Sequence, residues 1–335
     1  MASYSITPKT SEFRRSGPWK IAVLLGGDSA EREISLASGA HVVETLLARG
    51  HQVCEIDPKF VDLTRFDWAG IDIAFLALHG KYGEDGHVQS ILDLLGVPYT
   101  GSDAEASRIG ISKSATKERL IQQGIPTANY VLIHESDSTE RILAHARSIG
   151  FPIVVKPDTQ GSSLGVSIVH NAEELPSAVS RCFELDSFGI LETAIIGSEW
   201  TVGILDESEL PAIQISTGRP FFTYEAKYQD DDTGYKFDYD VPNDVVRRIE
   251  QIAHHACRAL GTRGLARVDI MLDKLQRPFV LEINTIPGLT DHSLVPKAAA
   301  RIGWSFAELC ERAIVSSLRY AESHSRPLKV SDPAA

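Results

Sequence analysis

Residues 267–284 read Arg267-Val-Asp269-Ile-Met-Leu-Asp-Lys-Leu-Gln-Arg-Pro-Phe-Val-Leu-Glu282-Ile-Asn284. Apolar and polar residues alternate on either side of a polar tip, which predicts a β-hairpin across 265–284. Side chains on a strand alternate faces, so Arg267 and Asp269 share one face, and Glu282 and Asn284 share one face of the return strand. A tip at Leu275-Gln276 sets Asp269 across from Glu282 and Arg267 across from Asn284, with Val268, Ile270, Leu281 and Ile283 as an apolar stripe behind them. Two carboxylates directly opposed on adjacent strands repel each other. A divalent cation turns that repulsion into binding. Oxygens of Asp, Glu and Asn with no Cys or His are the hard-ligand set suited to Mg²⁺, which commonly takes substrate phosphates as further ligands. An exposed hairpin with a surface salt bridge would not need the apolar stripe.

Upstream, the β runs 152–156 and 165–169 flank a long tip of small residues, predicting a second hairpin in which Lys156 is followed by Gly161-Ser162-Ser163-Leu164-Gly165. Small residues let backbone N–H groups approach and cradle a phosphate. The spacing is not that of a P-loop. Alternation at 190–192, 199–205 and 211–215 predicts one half-buried antiparallel sheet, while 228–243 holds too many Asp and Gly residues for a regular element. A helix at 244–260 precedes the 265–284 hairpin; a loop and a last helix near 304–319 follow it.

The first hundred residues read differently. The runs 20–25 and 71–78 are short apolar strands, each passing through glycine into a helical stretch, one to about Gly50 and one over 87–95. Strands alternating with helices imply a parallel sheet with ligands at its C-terminal strand ends. Residues 97–101 close this unit as a short edge strand, and 103–123, carrying Lys113, Lys117 and Arg119, is a helix. Gly26-Gly27 does not complete a dinucleotide fingerprint. Glu31 is either the acidic partner of a helix cap at Asp28 or a group aimed into the strand-end crevice toward a substrate ammonium; spacing leaves both open. His79 begins the loop His79–Gly86 at the second strand end, where functional residues concentrate. His254-His255 is read as surface.

Composition bounds the rest. The 335 residues are 43% apolar and 23% charged, enough for two or three globular units. With 33 Lys and Arg against 45 Asp and Glu the net charge is −12, the wrong sign for gripping a nucleic-acid backbone. No run approaches the ~18 apolar residues of a membrane span. Four scattered cysteines without a CxxC pair imply reduced thiols in a cytoplasm. Residues 1–19 lack the apolar core of a signal peptide and read as a disordered tail.

The segments LLGGDSAEREISL, ALHGKYGEDG, VVKPDTQGSSLGVS, EAKY, GLARVDIMLD and LEINTIPGLTDHSLVP, in that order, closely resemble the D-alanine–D-alanine ligase family of the ATP-grasp superfamily. The resemblance implies a three-domain α/β fold, with an N-terminal parallel-sheet domain at 20–101 and two α+β domains, 102–190 and 191–325, that clasp ATP between antiparallel sheets. It implies ATP-dependent joining of two D-alanines through an acyl phosphate, for peptidoglycan precursors. ATP contacts match Lys113, Lys156, Ser163, Glu192, Ile195, Glu199 and Lys227. Two Mg²⁺ or Mn²⁺ ions would lie on Asp269, Glu282 and Asn284. Glu31 matches the residue receiving the first ammonium, with His79 beside it; Arg267 and the N–H of Gly288 match the oxyanion-binding groups. Ser293 and Leu294 match the contact to the second carboxylate. Ser162 and Tyr228 match a bonded pair that, with Glu31, ties the mobile loops 158–164 and 228–243 over the closed site. Lys227-Tyr228 is the pairing expected of dipeptide-forming members; D-lactate- or D-serine-joining relatives are the alternative, and an inactive nucleotide-binding relative a more distant one. A homodimer in the cytoplasm is also implied.

Overall fold

The structure, a computed structural model, describes residues 17–216 and 234–324. Lys20–Leu24 (β1) is exposed only at its first residue, the pattern of a strand covered on both faces. It pairs in parallel with Gln52–Ile56 (β2) and Ile73–Leu76 (β3), and Arg32–Ala48 (α1) makes the crossover between β1 and β2. His87–Leu95 (α2) follows β3. The edge strand expected at 97–101 shrinks to a single bridge between Ala74 and Tyr99. Its ladder stops because the Leu76 N–H is taken by the Thr100 hydroxyl at 2.9 Å.

The helix expected over 103–123 is two, Ala104–Ile111 (α3) and Lys113–Gln122 (α4). Ser112 breaks them apart: its backbone is extended, and its hydroxyl accepts from Ala115 N and donates to Asp158 at 2.7 Å. Tyr130–His134 (β4), Ile153–Pro157 (β5), Ser167–Val169 (β6) and Phe188–Thr193 (β7) form an antiparallel sheet in the order β4-β7-β5-β6. Thr139–Ile149 (α5) and Leu175–Phe183 (α6) cover it through Ile142, Ala146, Leu175 and Ala178. Residues 190–192 therefore do not share a sheet with 199–205; alternation shows that a strand is half-buried but not which strand it pairs with.

The third sheet comprises Gly197–Leu205 (β8), Ser208–Glu209 (β9), Ile213–Ser216 (β10), Gly234–Lys236 (β11), Leu265–Asp273 (β12) and Pro278–Asn284 (β13). Its order is β11-β10-β8-β12-β13, with β9 on β8. β11 falls inside the stretch expected to be irregular; pairing with β10 holds it despite its composition. Asn243–Leu260 (α7) buries Val245, Ile249, Ala253 and Leu260 against the sheet, and Leu120 of α4 joins that core. His254 on α7 is only partly exposed and pairs with Glu207 and Glu209.

The hairpin of β12 and β13 has the expected register where it matters: Arg267 faces Asn284 and Asp269 faces Glu282. The tip, however, closes one residue earlier, with Asp273 N bonded to Arg277 O. A bulge after Asp269 absorbs the difference, so that Ile270 faces Val280. Leu281 consequently leaves the apolar stripe for the cleft side, and Val280 takes its buried place.

Leu294–Arg301 (α8) is a helix where a loop was expected, and Phe306–His324 (α9) follows. α9 enters a core that the first and third sheets share. Its Leu309, Ala313 and Ile314 pack in one core with Ile21, Val23, Val42, Leu46 and Phe75 of the first unit. Glu311 is buried there, held by Arg49 through two contacts of 3.0 Å and by His51 at 3.3 Å. α1 approaches the end of β1 so closely that a Cβ on Gly39 would lie 2.4 Å from the Leu25 Cβ. Gly39→Ala should force α1 off the sheet and lower unfolding free energy by about 1–3 kcal/mol, read from urea denaturation; an unchanged midpoint would show that the helix seats elsewhere.

Candidate active site

The second and third sheets face each other across a cavity of about 460 Å³. Lys156, at the end of β5, and Glu192, on β7, lie two residues out of register and so on the same face. The Glu192 carboxylate is buried between Lys156 Nζ at 2.6 Å and Lys117 Nζ at 2.8 Å. Burial alone would raise the Glu192 pKa; the two ammonium groups outweigh it and hold it at about 2. Burial likewise pulls the Lys117 ammonium down, against the attraction of Glu192. Ser163, Ile195 and Glu199 line the same cavity, as do Lys113, Asp269 and Glu282. Lys117 carried no role in the sequence reading, although its place four residues after Lys113 puts both on one helix face.

Lys113 opens α4 and reaches across the cleft: its Nζ donates to the Gln160 carbonyl at 2.6 Å and lies 3.6 Å from Glu282 Oε2. On β12, Arg267 forks onto both oxygens of Asp269, at 2.9 and 2.8 Å. Asp269 also accepts from the buried Thr201 hydroxyl at 2.6 Å and from Asn284 Nδ2 at 3.3 Å. Asp269, Glu282 and Asn284 thus present hard oxygen donors on one face, the donor set that fits Mg²⁺ or Mn²⁺. Among the described residues no three His, Cys, Asp or Glu side chains could hold an ion unaided. A cation here would need additional oxygens, such as those of a phosphate chain in the adjoining cavity.

The strand ends of the first sheet supply the third wall. Glu31 caps nothing: the N-terminus of α1 has no side-chain cap. Its carboxylate instead accepts a short hydrogen bond from Ser162. A Cβ on Gly161 would sit 2.7 Å from Glu31 Oε2, so glycine is what lets this loop close on the carboxylate. Ser162 and Ser163 both have φ in the left-handed region, at 51° and 58°, a conformation that costs a side chain energy and recurs at functional sites. A second cavity, about 950 Å³, opens beside Glu31 and Gly80. His79 is buried; burial, then the Arg267 charge, lowers its pKa to about 4, so it is neutral at physiological pH. Glu84, which the sequence reading passed over, is pushed upward by burial and by Glu31, and takes the Gly80 N–H at 2.7 Å.

The loop between β13 and α8 carries the remaining candidates. Ser293 precedes α8, and its hydroxyl accepts from Thr290 N at 2.9 Å. A Cβ on Gly288 would lie 2.9 Å from that hydroxyl, so Gly288 and Ser293 adjoin. The Leu294 side chain belongs to the core; what it can offer a ligand is its backbone N–H at a helix start. Lys227 and Tyr228 lie outside the described residues.

Because the folded Glu192 pKa is depressed from 4.5 to about 2, its contribution to stability is complete above about pH 4.5 and is lost as pH falls toward 2. Lys117→Met should therefore destabilise the fold at pH 7, by about 3 kcal/mol or less since Lys156 remains. The deficit should shrink between pH 4.5 and pH 2. Urea unfolding across that range checks this, and a deficit independent of pH would mean that another group carries the effect.

Family models described as the N-terminus and the C-terminus of D-ala D-ala ligase match residues 59–102 and 104–315. A D-alanine–D-alanine ligase of Alkalilimnicola ehrlichii is 43% identical over 302 residues, covering 90% of this chain and 95% of the relative. That of Pelotomaculum thermopropionicum is 38% identical over 88% of this chain and 95% of its own length. Among solved structures, the Bacillus anthracis D-alanine–D-alanine ligase complexed with ATP superposes with a TM-score of 0.78 at 33% identity, covering 91% of this chain and 99% of that one. An Enterococcus faecalis D-Ala:D-Ser ligase gives a TM-score of 0.79 at 26% identity, covering 90% and 100%. The expected fold is borne out, and this chain belongs to the D-alanine–D-alanine ligase family.

Proposed function

We propose that this chain joins two D-alanines into D-alanyl-D-alanine at the expense of ATP, releasing ADP and phosphate, a step in cell-wall synthesis. The observation that carries the site assignment is the convergence of Asp269 and Glu282 with Lys113 and Lys156 on the cavity between the two antiparallel sheets, with Arg267 paired to Asp269 behind them. So many charges are costly to desolvate unless they serve a polyanion.

In this reading ATP lies between the sheets, its adenosine toward Glu192, Ile195 and Glu199, its phosphates toward Lys113, Lys156 and the small-residue loop at Ser163. Asp269, Glu282 and Asn284 would hold Mg²⁺ or Mn²⁺, two ions in all, which when bound offset charge on the phosphate chain. Glu31 receives the ammonium of the first D-alanine, with His79 at the subsite wall. The carboxylate oxygen of that D-alanine attacks the γ-phosphorus and ADP leaves. The neutral amine of the second D-alanine, placed by Ser293 and the Leu294 N–H, then attacks the carbonyl carbon of the acyl phosphate. The oxyanion so formed is met by Arg267 and the Gly288 N–H, preorganised donors of the kind worth about 3–4 kcal/mol each. Its collapse expels phosphate, and the amine gives up a proton. Hydrolysis of the acyl phosphate must be prevented, which suits a closing loop at 158–164; on sequence grounds alone, Tyr228 belongs to the proposed second lid, 228–243, and Lys227 just before it is an ATP contact. The division into 20–101, 102–190 and 191–325, a homodimeric state and a cytoplasmic location complete the proposal; no helix among the described residues is long and apolar enough to cross a membrane.

Phosphate release from ATP, measured with D-alanine, L-alanine, D-lactate and D-serine offered separately, tests the substrate; equal release with D- and L-alanine would overturn it. Arg267→Lys keeps a charge but loses the planar fork. Turnover should fall by about two orders of magnitude with ATP affinity little changed, whereas a loss confined to ATP affinity would make Arg267 a phosphate contact.

A further inference from the structure

Gly288 sits in a loop that leaves the third sheet, yet the side chains gripping that loop belong to the first unit. The Leu289 N–H donates to Ser38 Oγ at 3.2 Å, and the Leu289 carbonyl accepts from His41 Nδ1 at 2.9 Å. Ser38 and His41 are three residues apart on α1 and so share a face of that helix. Both polar groups of the residue after Gly288 are therefore held by one helix. On the other side of Pro287-Gly288, the Ile286 backbone is hydrogen-bonded by His79 and by Glu84, both in the loop after β3. Ser38 links the two grips, because its hydroxyl also contacts His79 Nε2 at 3.2 Å. His41 is itself fixed: its ring stacks on Phe306 of α9, with centroids 4.0 Å apart and planes 3° from parallel. Ser38 is fully buried. α1 begins beside Glu31, so one rigid helix spans the distance from the proposed first ammonium site to the Gly288 loop.

We propose that Ser38 and His41 are positioning residues that clamp the Leu289 peptide and so aim the Gly288 N–H at the developing oxyanion. This rests on the oxyanion role given to Gly288 above. A hydroxyl at 38 accepts the Leu289 N–H while meeting His79, so one side chain ties the wall of the first subsite to the donor that acts later in the reaction. Neither residue lines either of the two cavities described above. Their effect is on geometry, and displacement of a catalytic donor by a fraction of an ångström to 1 Å is enough to slow a reaction by one to two orders of magnitude.

Ser38→Ala removes the acceptor for Leu289 N, and His41→Phe removes the donor to its carbonyl while keeping a ring on Phe306. Each should lower kcat about ten-fold and leave KM for ATP within about two-fold. A phosphinate dipeptide, whose tetrahedral phosphorus imitates the intermediate, should lose affinity by the same factor as kcat. Ser38→Cys, with similar volume and a weaker acceptor, should fall between serine and alanine, and serves if the alanine variant does not fold. Folded variants with unchanged kcat overturn the proposal, as does a loss of kcat that leaves phosphinate affinity intact. Arg267→Lys assayed alongside separates the two levels. If it loses turnover while the clamp variants do not, only the clamp is wrong; if it too retains turnover, the oxyanion reading fails with it.

Discussion

Asp269 and Glu282 stand opposite each other on neighbouring strands, and two carboxylates so placed must be neutralised or the hairpin that carries them is strained by repulsion. The surrounding structure answers that demand. Arg267 comes from the same strand and forks onto Asp269. Lys113 reaches Glu282 from a helix that has to begin at the cleft, so the chain breaks at Ser112 instead of running one helix from 104 to 122. The Lys113 ammonium then holds the Gln160 carbonyl, and that loop carries Ser162 to Glu31. Three units that share little sequence character are drawn together around one pair of negative charges.

Much of this could be read from the sequence, for identifiable reasons. Period-two alternation in 265–284 and a run of small residues after Lys156 are local signals, and they mark the acidic face and the small-residue loop that meets Glu31. The register of Asp269 against Glu282 came out right although the tip was placed one residue off, because a bulge after Asp269 compensates. Leu281 shows what that bulge concealed: parity beyond it is inverted, and sequence carries no mark of an extra residue in one strand. β2 was missed since Gln52–Ile56 is mostly half-exposed and lacks an apolar run. β7 was given the wrong neighbours, because pairing is a property of two strands and alternation a property of one. The roles of Lys117 and Ser38 are not legible for a related reason. A lysine on a mostly polar helix and a serine on an apolar one mean nothing until Glu192 and Leu289 arrive from elsewhere in the chain.

The buried polar groups also set where the molecule can be changed. Glu192 between two lysines, Glu311 between Arg49 and His51, and Asp269 among Thr201, Arg267 and Asn284 are each satisfied as groups. Removing the buried carboxylate's partners one at a time leaves its charge progressively less compensated in low dielectric, and the loss of one partner is limited by those that remain. Cys54, Cys182, Cys257 and Cys310, by contrast, are all unpaired thiols, and three of them simply fill apolar space.

The seating of α9 against the first sheet bears on how the protein is made. Ile21, Val23 and Phe75 lie in one core with Leu309 and Ile314, from opposite ends of the sequence. A ribosome adding about 5–20 residues per second delivers the second half of that core on the order of tens of seconds after the first. Until then the N-terminal strands present an uncovered apolar face, the kind of surface that chaperones bind and that associates between chains. The first unit emerges earliest and is completed last, so premature termination anywhere before α9 yields a product whose first sheet is unfinished.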